Sequence, residues 1–383
     1  NLIWVDPDTD NDTMEKINSD NAFTLSTGDM VFICDNVKKR VPGSSMYTVY
    51  TDDDGNTTGE DFKGENLITG TIKGVAENRT PTVYFLSGHG EKSLDSYTKF
   101  TTNLTNYNYA AKELNLSETD SVPDDAALVL VAAPSKDITD AEAEKLNAYL
   151  DNGGNISLLM SPNGGAFAYT NLEAIMKDYG FYMDYDRVSE TNSNYHISGD
   201  KYTIQCELNE LDDDSEATDL TSSLLNQGLY TFMPESRSFR YNDEGGKYTI
   251  APLITTYDSA EGEPYGGISD DPEKQSGQML LAADSTSIAR NDSKMVVFGN
   301  AEFIDDEHVS DDTVIVPVYL FLSTISWMYD SDIDMEISTK STTNDYISLQ
   351  DAGFAKGLMV VLTVIPVAIM AAGIGIWIKR RNS

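Results

Sequence analysis

The chain has 383 residues, enough for two or three domains at the usual size of about 100–200 residues each. Its 63 acidic against 26 basic residues give a formal charge of −37. A field of that sign repels phosphate backbones and argues against nucleic acid as a partner, while it suits a solvated surface or a basic partner patch. Cys34 and Cys206 are the only cysteines, too few for a disulfide framework or a four-thiolate zinc site, though a single disulfide stays open.

Residues 1–80 read as an N-terminal segment of short strands and turns. Met30–Asp35 and Met46–Thr51 are β-branched and aromatic runs bounded by turn residues, and Leu67, Ile68, Ile72 and Val75 fall at helical spacing. Asp8, Asp10 and Asp12 begin like a calcium loop, but Thr13 stands at the sixth position and Ser19 at the twelfth, so a solvated turn is the better reading. The opening residues lack a signal-peptide pattern, and the expectation is that the natural N-terminus, with an earlier membrane helix, is missing.

Residues 81–330 carry an α/β rhythm. Thr82–Ser87, Ala127–Ala133 and Asn155–Ser161 are continuous apolar runs of the kind a parallel sheet buries on both faces. Helices are expected between them, one presenting Tyr97, Phe100 and Leu104 on one face and one starting at the capping-box pair Thr139 and Glu142. The rhythm lapses over 184–277, which reads as a β-rich insertion, and resumes at Gln278–Asp284 and Lys294–Asn300 before a helix near Val314–Met328. The predicted fold is α/β, a doubly wound and mostly parallel sheet of amidotransferase-like or flavodoxin-like type, with that insertion and a C-terminal transmembrane helix.

The membrane helix is predicted at residues 357–378, where no residue is charged and a helix would reach about 33 Å against a hydrocarbon core of about 30 Å. An acidic linker over 331–356 precedes it, and Lys379, Arg380 and Arg381 open a tail over 379–383. By the positive-inside rule that tail is cytoplasmic, the body extracytoplasmic, and the protein resident in the plasma membrane. Ala368, Ala371, Ala372 and Gly375 share one face of the predicted span and would let another helix approach closely.

Ligands on open parallel sheets bind outside the carboxyl ends of the strands. The residues singled out there as candidate ligand contacts are Ser87, Gly88, His89, Gly90 and Glu91 after the first strand, Ser161 and Asn163 after the third, and Asn300 and Glu302 after the last. His89 and Glu91 are of the types that serve as acid and base or bind a cation. Gly88-x-Gly90 followed by Ser93, with Glu113 downstream, resembles a dinucleotide turn, but the third glycine is missing and no cofactor is expected. No G-x-S-x-G elbow or H-E-x-x-H pair occurs, so no catalytic residue and no metal site is assigned. His308, within the acidic run DDEHVSDD, reads as solvated.

FKGENLITGTIKGV (62–75) followed by PTVYFLSGHGEKSL (81–94) resembles the hallmark region of the Gldg family, auxiliary components of gliding-motility-type ABC transporters. The likeness continues through 128–162 and 295–307 and is weakest over 184–277. It implies a domain similar to class I glutamine amidotransferases, held beside an ABC permease and its ATPase, with a cell-envelope component or small molecule as ligand. The amidotransferase cysteine at a nucleophile elbow is absent, so the resemblance does not imply glutaminase activity. The expected function is a non-catalytic accessory subunit, with a tethered hydrolase or glycan-binding protein using the SGHGE loop as the alternative.

Overall fold

The computed structural model describes residues 2–6, 9–18, 23, 25–51, 57–62, 64–78, 80–211, 215, 217–226, 230–242, 246–267, 274–329, 340–341, 377 and 380–381. The chain divides into a larger unit, residues 1–48 and 62–340, and a smaller one, residues 49–61 and 341–383. Of the smaller, the strand segments within Tyr47–Thr51 and Thr57–Phe62 are the main described parts.

In the larger unit, strands β1 (Met30–Cys34) and β2 (Val37–Val41) form an antiparallel hairpin in the register Met30 to Val41. Helix α1 (Gly64–Glu77) lays Leu67 and Ile68 against Met30, Phe32, Val41 and Met46. The α/β rhythm then gives β3 (Thr82–Leu86), α2 (Thr98–Asn106), β4 (Ala110–Leu114), β5 (Ala126–Ala132), α3 (Asp140–Asp151), β6 (Ile156–Leu159) and α4 (Thr170–Lys177). Four long strands follow, β7 (Asp200–Leu208), β8 (Tyr248–Thr255), β9 (Leu280–Ser287) and β10 (Ser293–Phe298), and α5 (Ile315–Met328) closes the unit.

These strands belong to one twelve-stranded sheet whose main path runs β4-β3-β5-β6-β10-β9-β8-β7. The first five are parallel to their neighbours. Beyond β10 every pairing is antiparallel. The sheet is therefore mixed, a correction to the mostly parallel sheet predicted from the sequence. The reason is that residues 184–277 do not stand apart: β7 and β8 extend the same sheet, β8 along most of β9 from Tyr248 opposite Ser287 to Thr255 opposite Leu280. A separate three-stranded sheet pairs Asp186–Glu190 with Ala260–Pro264 and the latter with Gln275–Ser276.

Alternation along the parallel strands sends side chains to both faces. Val83 and Phe85, Leu128 and Leu130, Val296 and Phe298 pack with Phe100 and Leu104 of α2 and with most of α5. Tyr84 and Leu86, Val129 and Val131, Met295 and Val297 pack with Leu146 and Leu150 of α3 and Leu172 and Met176 of α4. Strands buried on both faces need apolar residues throughout, which is why their sequences read as unbroken apolar runs. On the α5 face, Phe321 meets Phe100, Phe298 and Phe303 at ring-centroid separations of 5.7, 5.6 and 5.9 Å.

The predicted transmembrane helix, and with it the plasma-membrane placement, is not supported. Among the described residues no helix is long and apolar enough to cross a membrane. The most apolar one, α5, has 14 residues, about 21 Å of helix against a hydrocarbon core of about 30 Å, and its side chains are buried on the sheet. Apart from Trp377, the span assigned to 357–378 lies outside the described residues, as do Ala368, Ala371, Ala372 and Gly375 of its expected packing face.

Candidate functional site

The spatial order of the parallel strands is second, first, third, fourth, fifth, so the strand order reverses between β3 and β5. Such a reversal opens a crevice at the carboxyl ends, where ligands of α/β sheets bind. The SGHGE segment follows β3 directly and lands there. Gly88 and Gly90 have φ of 111° and 87°, in the region that favours glycine. At Gly90 a Cβ would lie 1.8 Å from Ser135 Oγ, so only glycine lets this loop close on the one after β5. The two loops are then stitched together, Ser135 N and Lys136 N both donating to the His89 carbonyl at 2.9 and 3.2 Å.

The His89 side chain is buried between two carboxylates. Nδ1 lies 3.3 Å from Glu91 Oε1 and Nε2 lies 3.0 Å from Glu142 Oε2. Glu142 is also the third residue of α3, and its carboxylate accepts from Thr139 N at 2.8 Å and Thr139 Oγ1 at 2.6 Å in the predicted capping box. Hydrogen bonding to Glu91 raises the His89 pKa above its ordinary value, helped by Glu142 and opposed by burial. Burial pushes Glu142 up, but its bonds from Thr139 and His89 outweigh this and hold it below the usual range. The result is an imidazole ring clamped between two carboxylates, which favour its charged form. A general base must offer a ring nitrogen to its substrate, and both nitrogens of His89 face glutamates. The dinucleotide-like turn is likewise occupied, since His89 N donates to Glu91 Oε2 at 2.7 Å and Glu113 Oε1 accepts from Leu94 N at 2.9 Å.

The remaining predicted residues gather along the same edge. Ser161 Oγ accepts from Ala301 N at 3.0 Å, joining the ends of β6 and β10. Asn163 folds back to accept from Gly165 N at 2.8 Å. Asn300 donates Nδ2 to the Glu235 carbonyl at 2.6 Å and accepts from Glu302 N at 2.5 Å. The loop after β10 is tied back to the loop after β3 by Lys92 and Asp305, 2.5 Å apart, and by Asp306 N donating to Ser96 O at 2.9 Å. His308, expected to be solvated, is half-buried with Nδ1 2.7 Å from Asp305 Oδ1. Burial opposes the charge on Asp305, but Lys92 and His308 hold its pKa below the usual carboxylate range.

Sequence reasoning missed Tyr169, Tyr185 and Arg237. Arg237 lies in the segment read as an insertion, within PESRSFRY, where neighbouring serines and a second arginine suggest a solvated run. It is 0 % exposed. Its backbone N donates to Gly299 O at 2.9 Å and its Nη2 to Ser161 O at 2.9 Å, which fixes it beside the ends of β6 and β10. The guanidinium lies 5.6 Å from the ring centres of both Tyr169 and Tyr185. Tyr169 in turn donates its hydroxyl to Pro134 O at 2.5 Å, so the Arg237 end connects to the β5 loop of the His89 end.

Both cysteines are free thiols, Cys206 buried on β7 with its pKa pushed up by burial. Asp10, from the calcium-like run, accepts from Thr13 N at 3.1 Å as the cap of the short helix Asn11–Ile17. Among the described residues no group of three potential ligands is placed to hold a metal ion.

A profile described as ABC-type uncharacterized transport system, an ABC transporter auxiliary family, matches residues 80–314, more than half of the chain. The chain belongs to that family. The matched stretch contains all five parallel strands and every loop at their carboxyl ends. Among solved structures, one titled mmIFT52 N-terminal domain has a TM-score of 0.50 at 17% identity, covering 66% of this chain and 99% of that one. At that identity the likeness is one of fold. Two others have TM-scores of 0.32. One, described as a component of GMP synthase from Thermoplasma acidophilum, is 7% identical, over 66% of this chain and 96% of that one. The exo-beta-1,4-mannosidase Op5Man5 from Opitutaceae bacterium strain TAV5 is 9% identical, over 73% of this chain and 40% of that one. No curated protein matches the chain with significance.

Proposed function

We propose that this auxiliary component of an ABC-type transport system acts without catalysis, binding the transporter's permease–ATPase assembly through the surface of its body and a ligand through the carboxyl-edge loops. The family match over residues 80–314 is the observation that carries the reading, because it covers the whole parallel half of the sheet and its loops. The chemistry of the edge favours binding over turnover. His89 is held by Glu91 and Glu142, which makes it a fastener between the β3 loop and α3 instead of a proton shuttle. Asp305 is likewise consumed by Lys92 and His308. The hydrolase alternative needs His89 and Glu91 of the SGHGE loop free, and their geometry speaks against it.

The test is affinity purification of the full chain from cells expressing its genomic neighbours, with chemical cross-linking before lysis. Recovery of a polytopic permease and a P-loop ATPase, cross-linked to surface lysines such as Lys136 or Lys201, is the expected outcome. Isolation of the chain without either of them, under conditions that keep other ABC assemblies intact, would overturn the reading.

A further inference from the structure

Among the described residues of the carboxyl edge, one buried cation lacks an anion. Arg237 is 0 % exposed, and two of its guanidinium nitrogens, Nε and Nη1, have no hydrogen-bond partner. Among the described residues no carboxylate forms an ion pair with it; Asp186, the carboxylate that acts on it most strongly, spends its oxygens on Ser238 N and Oγ at 2.9 and 2.7 Å. Leaving a buried charge unpaired costs several kcal/mol, which two tyrosine faces and one carbonyl offset only in part. In a chain of net charge −37, with acids to spare, an unpaired buried arginine is a position where a partner from outside fits.

The surroundings supply a cover built from two short loops. Tyr169 and Tyr185 stack at 6.4 Å and 13° on the guanidinium, Tyr185 donating its hydroxyl to Glu173 and accepting from Tyr169 N at 2.8 Å. Two glycine pairs close over this tyrosine pair. Gly267 N donates to Gly165 O at 2.9 Å, a Cβ at Gly266 would stand 1.9 Å from Asn163 O, and one at Gly267 would stand 2.8 Å from the Tyr185 ring. Gly266 and Gly267 have φ of 81° and 75°, which other residues adopt only with strain. A backbone hydrogen bond joins the two short loops, and Gly164 is exposed.

We infer that Arg237 is the recognition group of a binding site for a small oxyanion-bearing ligand, reached by parting the 163–167 loop from the 265–267 loop. A carboxylate or phosphate oxygen would accept from the free Nε or Nη1, and the Asn163 amide and the Ser161 hydroxyl, whose Oγ accepts from Ala301 N and so keeps its proton to donate, stand at the same strand ends to complete its coordination. Charge-assisted bonds of this kind are stronger than neutral ones, more so in a dry site. The inference rests on reading the carboxyl edge as the ligand face, but is independent of whether a permease binds.

The experiment is thermal unfolding and calorimetric titration of the full chain with succinate and, separately, inorganic phosphate, against chloride at equal ionic strength. Saturable binding of one probe, with a melting temperature that rises with its concentration, and loss of at least tenfold in affinity in Arg237→Met, is the expected result; which probe binds tells carboxylate from phosphate. If Arg237→Met does not fold, Arg237→Lys takes its place, since it keeps the charge and loses the planar fork, and the same tenfold loss is expected. No saturable binding of either probe to the wild type, or equal binding by the variant, would overturn the site and leave Arg237 a packing residue. Capture of the permease and ATPase by a protein that binds neither probe would sink this site alone and leave the transporter reading standing.

Discussion

His89 shows how a residue type that suggests catalysis can be spent on structure. Histidine in a strand-end loop at a sheet reversal is where an acid–base group would sit, and nothing in SGHGE reveals that Glu142, far along the chain, will reach its second nitrogen. The arrangement has a pH signature. The folded-state pKa is raised above the unfolded value of about 6.5, so the stabilisation is fully present below that value and is lost as pH rises through the folded pKa. His89→Gln removes the cation and strands two buried glutamates, which should cost about 3–5 kcal/mol at pH 6. That cost should shrink as pH rises through the folded-state pKa of His89. Urea unfolding of both proteins at several pH values tests this, and a gap independent of pH would show that His89 does not titrate across that range. The comparison with the variant is needed because Asp284, wholly buried on β9 with its pKa pushed well up by burial, gives both proteins a slope of the same sign.

At the scale of elements, the sequence makes the parallel half readable and conceals the antiparallel half. Unbroken apolar runs such as Leu128–Val131 have few alternatives to a doubly buried strand, and Thr139 with Glu142 announces a helix start that the structure shows as a reciprocal cap. Residues 184–277 are opaque because their strands alternate, carry charges and pair across long separations, β7 reaching β8 through Glu207 opposite Thr255. That opacity hides Arg237 as well, since its burial depends on a close backbone approach no local pattern encodes. Gly299 is the residue that allows the approach. A Cβ there would lie 2.2 Å from Arg237 O and 3.1 Å from Arg237 N, both backbone atoms that cannot swing aside. Gly299→Ala should therefore lower stability by about 1–3 kcal/mol or more, read as a lower urea midpoint at unchanged m-value. An unchanged midpoint would mean that the 235–238 segment shifts freely, and would weaken the case for a preformed site beside Ser161.

For the whole molecule the dominating quantity is charge. A formal −37 spread over 383 residues keeps the chain dispersed in solution but sets its acids against one another in the compact state. Ion pairs such as Lys112 with Asp125 at 3.0 Å and Lys201 with Glu263 answer some of that repulsion, but they are exposed or half-exposed and screened by solvent. With 63 acids against 26 bases, most acidic residues have no basic counterpart to pair with, so repulsion outweighs attraction in the sum. Salt screens both, its reach falling from about 30 Å at 0.01 M to about 10 Å at 0.1 M, and the larger contribution decides the sign. The melting temperature of the full chain should rise between 10 and 200 mM sodium chloride, each kcal/mol of relieved repulsion being worth about 2–4 °C in a domain of roughly 150–250 residues and less in a larger one. Variants that reverse a few exposed acids, such as Glu118→Lys and Asp120→Lys, should gain stability at low salt and show a smaller salt increment. A melting temperature that falls with salt would mean that local pairing prevails over net charge, and the surface would then be one whose acids and bases are matched in place.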